Sequence, residues 1–176
     1  MPIRRGRLLA RDRRFGIVVS RFNQFITHRL LESCLETLKQ AGVPPSRIEV
    51  LWVPGALEVP YFCQKLARKK KFDALITLAC VLRGGTYHFE CVSHELTRGI
   101  SQAALQNEVP IATGIITADR LEEAIDRAGL KAGNKGEQAA LAALEIADLN
   151  ARVSHPGKNR VRRKRGGKRK RRSPHA

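Results

Sequence analysis

Aromatic residues are scarce in this sequence, and no apolar run is long enough to cross a membrane. Phe, Trp and Tyr make up 5% of the 176 residues, whereas hydrophobic residues of all kinds make up 43%. A membrane helix needs about 20 consecutive apolar residues, and the basic start of the chain lacks the apolar core of a secretory signal. A transit peptide is not expected either, because a strand pattern begins almost at once. We therefore expect one aliphatic-rich domain of cytoplasmic location.

Paired cysteines are also lacking. The four cysteines stand at positions 34, 63, 80 and 91, and no two of them form a CxxC pair. Each lies in an apolar stretch, which is typical of buried free thiols in a reducing compartment. We therefore expect all four thiols to be buried and free.

Acidic residues are absent from most of the last part of the chain. Residues 158–172 hold 11 Lys and Arg and no acid, and without them the net charge falls from +17 to +6. The first fourteen residues hold six Arg against one Asp. The middle of the chain is therefore close to neutral, like an ordinary enzyme domain. We expect residues 154–176 to be a disordered, strongly basic tail, because their composition cannot bury a core.

Apolar periodicity predicts alternating strands and helices between the two basic ends. Strands are predicted at 14–20, 47–55, 73–82 and 109–117, and helices at 24–41, 56–71, about 88–107, 119–129 and 134–153. Asp119 with Glu122, and Asn134 with Glu137, have the spacing of capping boxes. The element order and short loops favour a three-layer α/β/α sandwich around a four-stranded parallel sheet.

Polar or glycine-rich stretches follow all four predicted strands, at residues 21–23, 54–58, 83–88 and 117–119. In open parallel sheets, ligands bind beyond the carboxyl ends of the strands. Within the third stretch, Gly84, Gly85 and Thr86 stand between a buried strand and a helix start. Such a turn favours an anion site, most readily for a phosphate, although the same glycines also suit a turn with no ligand.

Two histidines and a cysteine in residues 82–95 raise the question of a metal site. His88, Cys91 and His94 are three residues apart, and at about 100° per residue they spread around a helix and cannot all reach one ion. We therefore predict no metal site. His88 is placed for proton transfer beside the anion site; the alternative is a helix-start histidine without a role.

Charged and aromatic residues elsewhere also suit a ligand. Lys135 lies just inside a helix N-terminus, where the dipole disfavours a cation, and Arg127 and Lys131 extend this positive cluster. The alternative is a solvated hinge between two helices. Glu58 suits hydrogen bonds with a polyol and Phe22 suits stacking on a flat ring, although both also suit ordinary packing.

Together these stretches resemble the lumazine synthase family of riboflavin biosynthesis. The resemblance runs from about Gly16 to Val153 and rests on SRFN (20–23), VPGALEVP (53–60), RGGTYHFE (83–90), GIITAD (114–119) and RAGLKAGNKG (127–136). It implies a flavodoxin-like domain over 14–153. It also implies condensation of 5-amino-6-(D-ribitylamino)uracil with 3,4-dihydroxy-2-butanone 4-phosphate, without a metal or an organic cofactor.

The resemblance further implies roles for single residues. His88 would move protons, and Arg127 would bind the phosphate. The other residues implied to bind substrate are Phe22, Gly55, Ala56, Leu57, Glu58, Cys80, Val81, Leu82, Gly85, Thr86, Thr113 and Lys135. Thr113 stands where many relatives carry a bulky Phe, which predicts looser packing over the ring. Variation at Leu57 is common in the family, because the backbone makes the contact there.

Quaternary structure follows from the same resemblance. It implies pentamers in which Arg127, Lys135 and Thr113 come from the neighbouring subunit, and residues 1–13 can pair with that neighbour. Some members form 60-subunit shells, and the absence of an insertion before the last helix favours the shell.

The basic tail lies outside the resemblance. It suits RNA or acidic cargo, which leaves a packaging scaffold with secondary or lost catalysis as the alternative function. A solvated tail without a packaging role is an equally good interpretation of these residues. A plain nucleic-acid-binding protein is disfavoured, because no aromatic residues interleave the cations.

Overall fold

A computed structural model of the protein describes residues 3–8 and 10–154. The strands are β1 (Phe15–Ser20), β2 (Ile48–Val53), β3 (Ala74–Leu82) and β4 (Ile111–Ala118). The helices are α1 (Gln24–Gln40), α2 (Glu58–Arg68), α3 (His88–Asn107), α4 (Leu121–Arg127) and α5 (Lys135–Ser154), with a short 3-10 turn at Pro45–Arg47. The predicted element order and α/β/α sandwich are confirmed. Residues 155–176, which carry nearly all of the predicted tail, lie outside the described residues.

The four strands are parallel and lie in the order β2-β1-β3-β4. β3 is the longest strand and is buried on both faces, as its continuous apolar run predicts. One core joins the sheet to α1, α4 and α5, and a second core joins the opposite face to α2 and α3. Because β2 lies on one side of β1 and β3 on the other, the strand order reverses between β1 and β3. Ligands of such sheets bind beside this reversal.

The thiols divide into three that are buried and one that is not. Burial raises the pKa of Cys34, Cys63 and Cys80 to about 12. Cys91 is exposed, so the prediction of four buried thiols is wrong there. The apolar stripe of α3 begins one residue later, at Val92, which leaves Cys91 beside it in solvent. No helix within the described residues has the length and apolar character needed to span a bilayer.

The start of α4 differs from the predicted capping box. Arg120, not Asp119, occupies the cap position, with an extended backbone. The partner is Glu123, whose Oε2 accepts hydrogen bonds from the backbone N–H of Asp119 at 3.2 Å and of Arg120 at 3.4 Å. The prediction of Asp119 with Glu122 is wrong by one residue because β4 continues through Ala118. The Asp119 carboxylate is therefore available to another partner.

The amino-terminal segment lies along α5 of its own chain. The Arg7 N–H donates to Asp148 Oδ2 at 3.1 Å, and Arg152 Nη1 donates to the Arg5 carbonyl at 2.5 Å. Pairing of residues 1–13 with a neighbouring subunit stays a prediction.

Candidate functional site

A pocket of about 320 Å³ lies where β1, β2 and β3 end, beside the reversal of strand order. Its lining includes most of the predicted site residues, namely Phe22, Gly55, Ala56, Leu57, Glu58, Cys80, Val81, Leu82, Thr86 and His88. Gly84, which belongs to the predicted anion turn, also lines it, and so do Phe89 and Val92, which were not predicted to do so. Phe89 and Val92 are three residues apart on α3, so helical spacing was the signal that could have revealed them.

Phe22 is held with its ring in solvent at the mouth of the pocket. Its backbone N–H donates to the Pro54 carbonyl at 3.1 Å, and its side chain is 67% exposed. The next residue, Asn23, has a left-handed backbone with φ 58°, which Asn tolerates better than most residues. Asn23 was not among the predicted site residues. Its tolerance of a left-handed backbone was the sequence signal that it could form the turn beside Phe22. An exposed ring on a fixed loop can stack on a flat ligand.

The loop between β2 and α2 is held by a carboxylate. Glu58 Oε2 accepts a hydrogen bond from the Gly55 N–H at 2.7 Å. A Cβ at Gly55 would lie 2.9 Å from that same oxygen, so glycine permits the close approach. Backbone groups of residues 55–57 are thereby fixed at the pocket wall. They can offer hydrogen bonds to a chain of hydroxyl groups.

The loop between β3 and α3 is open. Nothing lies within 4 Å of a Cβ placed on Gly84 or Gly85, and residues 83–88 are exposed. α3 begins at His88 with no side-chain cap, so its first N–H groups can bind an anion. The His88 imidazole forms no hydrogen bond with any residue in the described part of the chain. Glycine backbone, the Thr86 hydroxyl and an imidazole therefore share one edge of the pocket.

Cys80 contributes differently from its neighbours. Its side chain belongs to the core on the α1 and α5 face, whereas Val81 belongs to the α2 and α3 core. The Cys80 carbonyl accepts a hydrogen bond from Asn23 Nδ2 at 3.0 Å. The buried thiol is therefore a packing group, and the Cys80 carbonyl helps to hold the loop that carries Phe22.

Residues 12–151 match the family described as 6,7-dimethyl-8-ribityllumazine synthase. The chain belongs to this family. The match spans more than three quarters of the chain and contains the whole pocket. Lumazine synthases are transferases of riboflavin biosynthesis, and so is this enzyme. The family acts on small molecules and is typically oligomeric.

Two cationic residues that the lumazine synthase resemblance assigns to the site lie elsewhere in the single chain. Arg127 ends α4 and Lys135 begins α5, and neither lines the pocket. The loop between them is closed by buried Asn134, whose Nδ2 donates to the Ala128 carbonyl at 2.9 Å. Asn134 Oδ1 accepts from the Gly136 N–H at 2.7 Å and so holds the start of α5. The two cations therefore stand at the ends of one loop, which Asn134 closes with hydrogen bonds.

Thr113 also lies away from the pocket. It pairs in register with Thr77 near the middle of β4 and is exposed. Gly85 does not line the pocket either, although Gly84 and Thr86 on both sides of it do. One lumazine synthase chain thus gathers the aromatic, loop and histidine groups but not Thr113, Arg127 or Lys135.

The site shows no metal-binding geometry. Across residues 3–8 and 10–154, no group of three His, Cys, Asp or Glu side chains is placed to hold an ion. A larger hollow of about 410 Å³ lies at the opposite edge of the sheet, lined by Arg13, Asp73 and Glu108 among others. In this hollow, Arg13 Nη1 and Asp73 Oδ1 form an ion pair 2.8 Å apart. No glycine is among the residues that line it. The pocket at the carboxyl ends of the strands is therefore the candidate active site of this lumazine synthase.

Proposed function

We propose that the enzyme condenses 5-amino-6-(D-ribitylamino)uracil with 3,4-dihydroxy-2-butanone 4-phosphate. The products are 6,7-dimethyl-8-ribityllumazine, phosphate and water. One observation carries the proposal beyond family membership. A single pocket presents an exposed aromatic ring, a loop of fixed backbone groups, and a glycine turn at a helix start beside a histidine. These groups suit a flat ring, a polyol and a phosphate, which are the three parts of the two substrates.

Each group has a distinct task in the proposal. Phe22 stacks on the pyrimidine ring, and Lys135 contacts its edge. Residues 55–57 and Glu58 hold the ribityl chain, beside the strand end formed by residues 80–82. Gly85, Thr86 and Arg127 bind the phosphate. This arrangement fixes the two substrates relative to each other.

His88 moves protons during imine formation and phosphate loss. Most of the rate gain comes from orientation of the two bound substrates, for which effective molarities reach about 10⁵ M or more. Proton transfer by one side chain contributes about 10²–10⁴-fold. Catalysis in this scheme needs no metal and no organic cofactor.

The complete site contains Arg127, Lys135 and Thr113 from a neighbouring subunit, in a pentamer that assembles further into a 60-subunit shell. The sharing of the site between subunits is supported by the positions of these three residues outside the pocket of their own chain. Coexpression of His88→Ala and Arg127→Ala chains tests it. Mixed pentamers regain activity if one site uses both chains, because some sites then receive both native residues. Light scattering of the purified protein gives the subunit number.

The reaction itself is tested by incubating the purified protein with both substrates. Lumazine fluorescence and phosphate release should rise together in equal molar amounts. Phosphate release without lumazine, or no product at all, would refute the proposal.

A second candidate function rests on the basic tail. The 11 cations in residues 158–172 lie beyond the family match and outside the described residues. Such a run binds polyanions with affinity that falls steeply with salt, so a shell could package RNA or acidic proteins. The ratio of absorbance at 260 and 280 nm, with and without residues 158–172, tests this at two salt concentrations. An equal ratio for both proteins would exclude nucleic-acid cargo.

A further inference from the structure

The Arg83 side chain joins three elements beside the pocket. Arg83 follows β3, and its backbone N–H donates to the Ala118 carbonyl at 2.9 Å, which extends the β3–β4 ladder. Its Nε lies 2.5 Å from Asp119 Oδ1, just beyond β4. Its Nη1 binds Glu90 Oε1 in the first turn of α3. One guanidinium therefore ties two strand ends to the start of a helix.

The same guanidinium packs against a wall of the pocket. Its carbon lies 4.2 Å from the centre of the Phe89 ring, in cation–π geometry. Phe89 lines the pocket next to His88. The first turn of α3 has no side-chain cap, so the contacts to Glu90 and Phe89 tether it to the sheet.

Within residues 3–8 and 10–154, the Glu90 carboxylate forms its one ion pair with Arg83. Its Oε2 atom is buried and forms no hydrogen bond within the described part of the chain. Loss of the Arg83 fork would leave Oε1 without its arginine donor, beside an Oε2 atom that already lacks a partner. A buried unpaired acceptor is unfavourable. The first turn of α3 would then shift towards solvent, and His88 would move with it.

We propose that Arg83 is a positioning residue, which sets the place of His88 over the pocket by binding Glu90 and Asp119 at once. This rests on the proposed function, because His88 is given its proton-transfer role there. Lysine cannot replace arginine in this task. A single ammonium lacks the rigid fork that reaches two carboxylates in a fixed geometry.

The test compares Arg83→Lys with Arg98→Lys. Arg98 is a matched control, since its guanidinium also makes two hydrogen bonds to a carboxylate on α3, that of Glu95, away from the pocket. Arg83→Lys should lower kcat by about tenfold through misplacement of His88, and Arg98→Lys should not. In a His88→Ala background, Arg83→Lys should lower kcat less than about twofold, because coupled residues are not additive.

Hydrogen exchange gives a readout that does not depend on turnover. The amides of residues 92–94 donate to the first-turn carbonyls of α3, and Arg83→Lys should speed their exchange by about tenfold. The inference is overturned if kcat falls equally in both backgrounds, or if this exchange is unchanged. If the native enzyme forms no lumazine, the proposed function fails, and the exchange rates alone decide whether Arg83 holds the helix start.

Discussion

Asn23 donates a hydrogen bond from its side-chain amide to the Cys80 carbonyl, 3.0 Å away. The bond joins the end of β1 to the end of β3, where the strand order reverses. The Asn23 carbonyl also accepts the N–H groups of Ile26 and Thr27 at 2.9 and 3.1 Å. One residue with a left-handed backbone therefore fixes the loop that presents Phe22.

Asn23→Ala should weaken both stability and substrate binding. Loss of the hydrogen bond costs about 1 kcal/mol, and a left-handed alanine adds about 1–2 kcal/mol of strain. Urea unfolding measures the stability loss. Asn23→Gly is the control, since it loses the same bond without the strain, and should be the more stable variant. Equal stability of the two would contradict the role of the backbone conformation.

Gly136→Ala should destabilise the packing of α5 on α1. A Cβ there would lie 1.9 Å from the Leu30 carbonyl oxygen, and overpacking of this kind costs about 1–3 kcal/mol or more. Gly84→Ala is the control, because nothing lies within 4 Å of its Cβ. Thermal unfolding should show a lower Tm for Gly136→Ala. For Gly84→Ala the free energy of unfolding should change by less than about 0.5 kcal/mol. Similar melting of both variants would refute the close approach.

His88→Ala and Arg127→Ala should affect the reaction unequally. If orientation provides most of the rate, His88→Ala leaves measurable activity, with a loss of about 10²–10⁴-fold. Arg127→Ala removes a phosphate contact and should cripple turnover. Steady-state kinetics of both variants measures the two effects. An equal loss in the two would contradict a mechanism dominated by orientation.

The ion pair between Arg83 and Glu90 should make the free energy of unfolding depend on pH in the acid range. The hydrogen bond from Arg83 holds the pKa of Glu90 below its usual value of 4.5. A carboxylate with a lowered pKa in the folded state contributes stability above the unfolded pKa, and this is lost as pH falls through the folded pKa. Urea unfolding should give different stabilities for the native enzyme and Glu90→Gln at neutral pH. The difference should vanish as the pH falls below 4.5 and through the lowered pKa of Glu90. A difference that persists at low pH would contradict the ion pair.

The sequence was sufficient to predict the sheet and most of the pocket. The unbroken apolar run of β3 indicates burial on both faces, and parallel strands bring the residues that follow them to one edge. That geometry accounts for the proximity of Phe22, Glu58 and His88. It does not depend on knowing any side-chain contact.

The side-chain partners of individual residues could not be predicted in the same way. The Arg83 fork depends on the register that pairs Leu82 with Ala118, which brings Asp119 opposite Arg83. The one-residue error in the α4 cap has the same origin, because periodicity does not define where β4 ends. Cys91 shows the same limit on a helix, where one position along α3 separates a buried side chain from an exposed one.

The uneven burial of the four thiols leaves one cysteine available for selective chemical labelling. At neutral pH the thiols of Cys34, Cys63 and Cys80 are almost entirely protonated, since their pKa values are about 12, and only a thiolate reacts rapidly with a maleimide. Cys91 is exposed and lies one helical turn beyond His88. We therefore expect a maleimide fluorophore to label Cys91 selectively, without any engineered cysteine.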